Sequence, residues 1–102
     1  MVNMMKLMKQ AASMQKNMEK VQAALADRTV EFSSGGGMVT AVARGDGSIS
    51  AIRIDPKVVD PTDVDMLQDL VLAAVDGAIK AAKEMAAQEI AKVTSGMGMP
   101  EF

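Results

Sequence analysis

The chain contains no cysteine, no histidine, no tryptophan and no tyrosine, and Phe32 and Phe102 are its only aromatic residues. Without cysteine and histidine there are no disulfides, thiolate nucleophiles or imidazole bases, and the commonest transition-metal ligands are missing. No nucleophile–base pair remains that would organise catalysis. The expectation is therefore a protein that is not an enzyme, with no catalytic residues, no cofactor, no metal and no small-molecule substrate. Met1 to Gln10 has neither the apolar core nor the small-residue cleavage site of a signal peptide. No stretch approaches the ~18 uninterrupted apolar residues of a membrane span. A cytoplasmic protein without a membrane partner is expected.

What is present is apolar but soft. The 102 residues are 49% hydrophobic and include eleven methionines. A core must come from Met, Ala, Val, Leu and Ile. Methionine fills irregular gaps but specifies shape poorly, and a chain this short buries a modest share of its surface. A single domain over 1–102 that gains stability as a homodimer is expected.

Net charge is −2, but the charges are segregated. Residues 1–26 carry Lys6, Lys9, Lys16 and Lys20 against Glu19 alone. Residues 55–76 carry six aspartates against Lys57. The remaining segments balance.

Periodicity divides the chain. Met4, Leu7, Ala11, Met14, Met18, Val21 and Leu25 alternate spacings of three and four, which predicts a helix over 3–26 with a coiled-coil seam. Strands are predicted over 28–34, 38–44 and 48–55. Gly35-Gly36-Gly37 breaks the first from the second, and Gly45-Asp46-Gly47 turns the second into the third. The step from Ile49 to Ile52 breaks strict alternation and predicts a bulge near Ser50 or Ala51. After Asp55-Pro56 and a connector with room for one helical turn, a second long helix is predicted over 63–94. Thr62 and Asp65 form its capping box, and a flexible tail follows over 97–102. The second helix carries two apolar seams: Leu67, Val71, Ala74, Ala78, Ala81 and Met85, and Leu72, Val75, Ile79, Ala82, Ala86 and Ile90. One face is expected on the sheet and the other against a second chain. Gly77 among alanines predicts close approach of another element. The fold class is α+β, helix–three-stranded antiparallel sheet–helix.

Placing Met4 at heptad position a puts Lys6 and Lys20 at c, and Lys9 and Lys16 at f. All four lie on one outward stripe with Gln10, Ser13 and Asn17 between them. A solvated helix face is the ordinary reading of such a stripe. Cations on one face with few competing carboxylates also suit a phosphate backbone. The glycine triplet lacks the Gly-Lys-Ser/Thr ending of a P-loop and precedes a strand, so it reads as a loop. The aspartates lack the spacing of a calcium loop and read as helix-start chemistry.

The order of motifs resembles the YbaB/EbfC family. Leu7-Met8-Lys9-Gln10-Ala11 opens it, followed by Met14-Gln15-Lys16 and Met18. Ser34-Gly35-Gly36-Gly37-Met38-Val39 precedes the second strand, and Ile54-Asp55-Pro56 makes the corner. Asp65-Met66-Leu67-Gln68-Asp69-Leu70-Val71, then Ala73-Ala74, enters the last helix, and Thr94-Ser95-Gly96-Met97 closes it. The resemblance covers nearly the whole chain. It implies a tight homodimer with protruding helices, and cytoplasmic, nucleoid-associated binding of double-stranded DNA. Lys6, Lys9, Lys16 and Lys20 are the leading phosphate contacts, with Arg28, Lys80 and Lys83 secondary. The stripe has no arginine to pair bidentately with guanine, so weak sequence preference is expected. The alternative is a prefoldin-like protein-interaction or holdase module using the methionines of the first helix.

Overall fold

In the computed structural model, which describes residues 3–96 and side chains through Val93, the chain runs helix, three strands, helix. Helix α1 is Met4–Asp27, strand β1 Thr29–Ser34, β2 Val39–Arg44, β3 Ile49–Ile54, and helix α2 Val64–Gly96. The expected tail over 97–102 lies outside the described residues. The strands form an antiparallel meander in the order β1-β2-β3. Its two tight connections are chemical consequences of the sequence. Gly35, Gly36 and Gly37 all have positive φ, from 60° to 95°, where side chains with a Cβ are strained. At Gly45-Asp46-Gly47 the Asp46 carboxylate accepts from the Ser48 hydroxyl at 2.6 Å and the Ser48 N–H at 2.9 Å. Those two bonds, the hydroxyl's foremost, lower the Asp46 pKa.

Register divides the sheet into two unlike faces. Val30, Phe32 and Ser34 pair with Ala43, Ala41 and Val39, which pair in turn with Ile49, Ile52 and Ile54. The register shifts between Val42 and Ala43, leaving Ser50 as the extra residue of a bulge on β3. The apolar face receives α2. The opposite face carries Glu31, Ser33, Thr40 and Arg53, joined by Arg53 Nη2–Glu31 Oε1 at 2.8 Å and Ser33–Thr40 at 2.8 Å.

The core between α2 and the sheet is made of small residues. Ala74, Ala78 and Ala82 are fully buried, as are Val39, Ala41 and Ala43 beneath them. The three alanines are drawn from both predicted seams of the second helix, and Leu72 stands exposed. Gly77 brings the helix close: a Cβ there would lie 2.2 Å from the nearest Phe32 ring carbon. Thr62 is not the helix cap. Its N–H and hydroxyl turn back to Asp60 Oδ1 at 2.9 and 2.7 Å, and Asp63 instead accepts the Met66 N–H at 3.2 Å. The capping-box expectation is corrected because Asp60 lies two residues from Thr62, the local distance an Asx-type turn needs.

The molecule is long, 72 × 25 × 16 Å, with a radius of gyration of 19.7 Å. A compact chain of this size would have about 13 Å. The excess comes from α1, which meets the rest of the protein mainly through its C-terminal half. The Gly45 N–H donates to the carbonyls of Leu25 and Arg28, both at 2.9 Å. Leu25 is only 4% exposed, while residues 3–13 are exposed throughout.

Gly77→Ala is expected to destabilise the fold by about 1–3 kcal/mol, the cost of overpacking a tight contact. In a Phe32→Ala background the obstacle is gone, and the same change should become neutral or stabilising by up to ~1 kcal/mol through helix propensity. Urea unfolding of the four proteins measures this coupling. Equal destabilisation in both backgrounds would place the constraint elsewhere.

Candidate nucleic-acid interface

Helix α1 holds four cations because of its length and phase. It begins at a capped end: Asn3 Oδ1 accepts from the N–H groups of Met5 at 3.0 Å and Lys6 at 3.3 Å. It then runs without Gly or Pro to Asp27. At the usual ~1.5 Å per residue, Lys6 to Lys20 span about 21 Å of one helix face. All four lysines are exposed. None of them forms a salt bridge among the described residues. The only carboxylate among them is Glu19, and none precedes it.

The secondary candidates sit differently. Arg28 Nη1 is held by Glu89 Oε1 at 2.8 Å, and Lys92 reaches the same oxygen at 3.2 Å. Lys80 is paired with Asp76 one helical turn away at 2.9 Å. Lys83 is exposed on α2 without a salt bridge among the described residues. The structure therefore gathers Lys6, Lys9, Lys16 and Lys20 on one face and brings Lys20 and Arg28 to the walls of one cleft. Lys80 and Lys83 belong to the other helix. The cleft, about 170 Å³, lies between the two helices and is lined by Lys20, Val21, Ala24, Leu25, Arg28 and Glu89.

Glu89 is the residue that sequence reasoning missed. It fastens α2 to the end of α1, and 61 residues separate it from Arg28. Nothing local in the sequence signals such a pair. Its pKa is lowered, first by the hydrogen bond from Arg28 and then by that from Lys92.

The seam of α1 is covered in part. Met14, Met18 and Val21 are half-buried and Leu25 is buried, but Met4, Leu7 and Ala11 are exposed. Met5 and Met8, outside the seam, are exposed as well. Lysines and uncovered apolar side chains thus share the first turns of the arm. Among the described residues there is no group of acidic residues arranged to hold a metal ion, and no helix long and apolar enough to cross a membrane.

Comparison with known proteins identifies a family and a fold. The family model described as the YbaB/EbfC DNA-binding family matches residues 1–97. A nucleoid-associated protein of Alkaliphilus metalliredigens is 52% identical, over 96% of this chain and 86% of its own. One from Acetivibrio thermocellus is 55% identical, over 94% and 85%. A crystal structure of the uncharacterized protein HP0035 from Helicobacter pylori superposes with a TM-score of 0.77 at 23% identity, covering 86% of this chain and 92% of that one. At that identity the likeness speaks to the fold.

Glu89→Gln is expected to lower thermal stability at neutral pH. A carboxylate with a depressed pKa contributes stability above its unfolded-state value and loses it as pH falls through its folded-state value. The difference between wild type and variant should therefore close as the solution is acidified through the carboxylate range. A difference in melting temperature that persisted in acid would mean the residue acts by packing.

Proposed function

The chain belongs to the YbaB/EbfC DNA-binding family, and from that membership we propose that it is a nucleoid-associated protein that grips duplex DNA as a dimer through the lysine stripe of α1. A binding family of this kind is not an enzyme family. The observation that carries the reading is the stripe itself: four exposed lysines on one helix face, without ion pairs among the described residues and with a single carboxylate between them in sequence. Polyphosphate recognition needs cations that are not already neutralised. Lys6, Lys9, Lys16 and Lys20 contact phosphates. Arg28, Lys80 and Lys83 contribute less, because the first two must leave a carboxylate to do so. With no arginine in the stripe, base readout is weak and sequence preference slight. Localisation follows the ligand: the cytoplasm, on the nucleoid.

The dimer rests on a second observation. Ile52 and Ile54 pair with core residues Ala41 and Val39 and so share the helix-bearing face of the sheet, yet both are exposed. Helix α2 lies over β1 and β2 and leaves the Ile52 and Ile54 end of β3 uncovered. Val59, Val64 and Met66 extend the exposed apolar surface along the chain from β3 into α2. An edge strand with uncovered isoleucines is a surface that a second copy would bury. Two copies also double the number of lysines in reach of one duplex.

Two tests follow. Fluorescence anisotropy of a labelled random-sequence duplex is expected to give saturable binding, with log K falling by about 0.9 per tenfold rise in salt for each phosphate neutralised. Lys9→Glu with Lys16→Glu should abolish retention while leaving the dimer folded; binding that survives at equal salt would move the interface off the stripe. Binding that persists at high salt would favour the apolar, client-gripping alternative. For the dimer, Ile52→Glu with Ile54→Glu should give a folded monomer by sedimentation equilibrium, and a dimer that withstands both charges uses another surface.

A further inference from the structure

The tip of α1 exposes more apolar surface than a helix seam requires. Met4 and Leu7 continue the seam line, and a neighbouring helix of a second copy would suffice to cover them. Met5 and Met8 do not lie on that line, yet are 69% and 68% exposed. They are three residues apart on adjoining turns, and Lys9 follows Met5 by four, so the three side chains are neighbours on the helix surface. Lys6 lies beyond Lys9 on the same side, and Met4 borders Met8 on the other. Two thioethers with two ammonium groups along one edge form one continuous patch.

The electrostatics of the same turns narrow the choice of ligand. A helix N-terminus carries partial positive charge and is stabilised by Asp or Glu in its first turn. Here the first turn has no acidic residue, and no carboxylate occurs before Glu19. Lysines occupy positions where the helix dipole disfavours them, and the end is kept helical by Asn3 instead. That arrangement gives up helix stability and gains an uninterrupted positive tip. A protein groove that took the methionines would not require it, whereas a polyanion with an apolar interior would. Duplex DNA is such a ligand: stacked bases lie between two rows of phosphates.

Resting on the DNA reading above, we propose that Met5 and Met8 form a wedge that enters the minor groove and partly unstacks one base step, with Lys9 and Lys6 on the phosphates along one side of it. Apolar wedges of this kind, methionine among them, kink duplexes by about 20–90°. Methionine suits the role because its unbranched, polarizable side chain adapts to an irregular slot. The protein then bends DNA as well as coating it. Its preference is for deformable steps such as TA and CA/TG over stiff A-tracts, although it reads no base edge.

The test uses the full chain and a short duplex with a central TA step, labelled at both ends for Förster transfer, with anisotropy recorded on the same samples to establish saturation. Wild type at saturation should raise transfer efficiency. Met5→Gln with Met8→Gln keeps length and helix propensity while replacing apolar surface by amide. The double variant should saturate the duplex but leave transfer at the free-DNA value. Wild-type saturation without any rise in transfer would overturn the wedge and leave the DNA reading standing. An equal rise with the double variant would assign bending to another part of the surface. Loss of the dimer in the double variant, read by sedimentation, would assign the methionines to the second copy and also overturn the wedge. Failure of wild type to bind at the lowest salt would overturn the wedge together with the reading it rests on.

Discussion

The close approach of α2 to the sheet is the contact on which the rest of the molecule depends. Three alanines on one helix face meet Val39, Ala41 and Ala43, and Gly77 lets the Phe32 ring lie against the helix backbone. Small residues on both sides allow a short separation and good packing. They also bury little apolar area each, and area is what the hydrophobic effect rewards, at about 25 cal/mol per Å². Val39 is the largest fully buried side chain described. The protomer therefore has a tight but thin core. Its larger apolar residues, Ile52, Ile54, Met4 and Leu7 among them, lie outside it. The surplus of exposed apolar surface is a consequence of that packing solution, and it is what a second copy would bury.

The same contact sets the shape. Because α2 is anchored on β1 and β2 through Ala74, Ala78 and Ala82, the rest of its length continues past the sheet toward the end of α1. There Arg28 and Glu89 join the two helices, and the Leu25 and Arg28 carbonyls, accepting from Gly45, tie the end of α1 to the turn between β2 and β3. The Glu89 pair is partly exposed, and such pairs contribute modestly to stability. Its value is directional: it holds the base of the arm while the tip extends into water. A rod with a firm base and a free end can follow a groove or backbone at a distance from the core that supports it.

Local features were legible in the sequence and non-local ones were not. The order of elements follows from a change in hydrophobic period at Arg28 and again after Pro56, and the structure has that order. The bulge at Ser50 was readable because it breaks a period of two between Ile49 and Ile52. The outward stripe of Lys6, Lys9, Lys16 and Lys20 was readable because it needs only the geometry of one helix. Periodicity does not say which part of a seam is covered, since covered and uncovered residues keep the same spacing. The α1 seam reads alike from Met4 to Leu25, yet only Leu25 is buried and only the stretch from Met14 is half-covered or better. Thr62 fits the capping motif because an acidic residue, Asp65, follows it by three. The choice between Asp60 and Asp63 as the aspartate that caps depended on a turn two residues long. Glu89 was invisible for a plainer reason, its partner being 61 residues away.

The net charge of −2 is a poor guide to the ligand because most of the negative charge is engaged where it stands. Asp60 accepts from Thr62, whose hydroxyl and then N–H lower its pKa. Asp63 caps α2, Asp46 closes a turn, and Asp55 accepts the Lys57 N–H. The same is true of the cations outside α1, where Arg28, Arg53, Lys80 and Lys92, four of seven, are each held by a carboxylate. Of the seven cations without ion pairs among the described residues, four, Lys6, Lys9, Lys16 and Lys20, lie on one projecting helix. At physiological ionic strength, charges farther apart than ~8 Å are largely screened, so a phosphate row beside α1 senses Lys9 and Lys16 far more strongly than an aspartate on the distant end of α2. An acidic protein presents a basic surface by placing four lysines on an arm longer than the screening length.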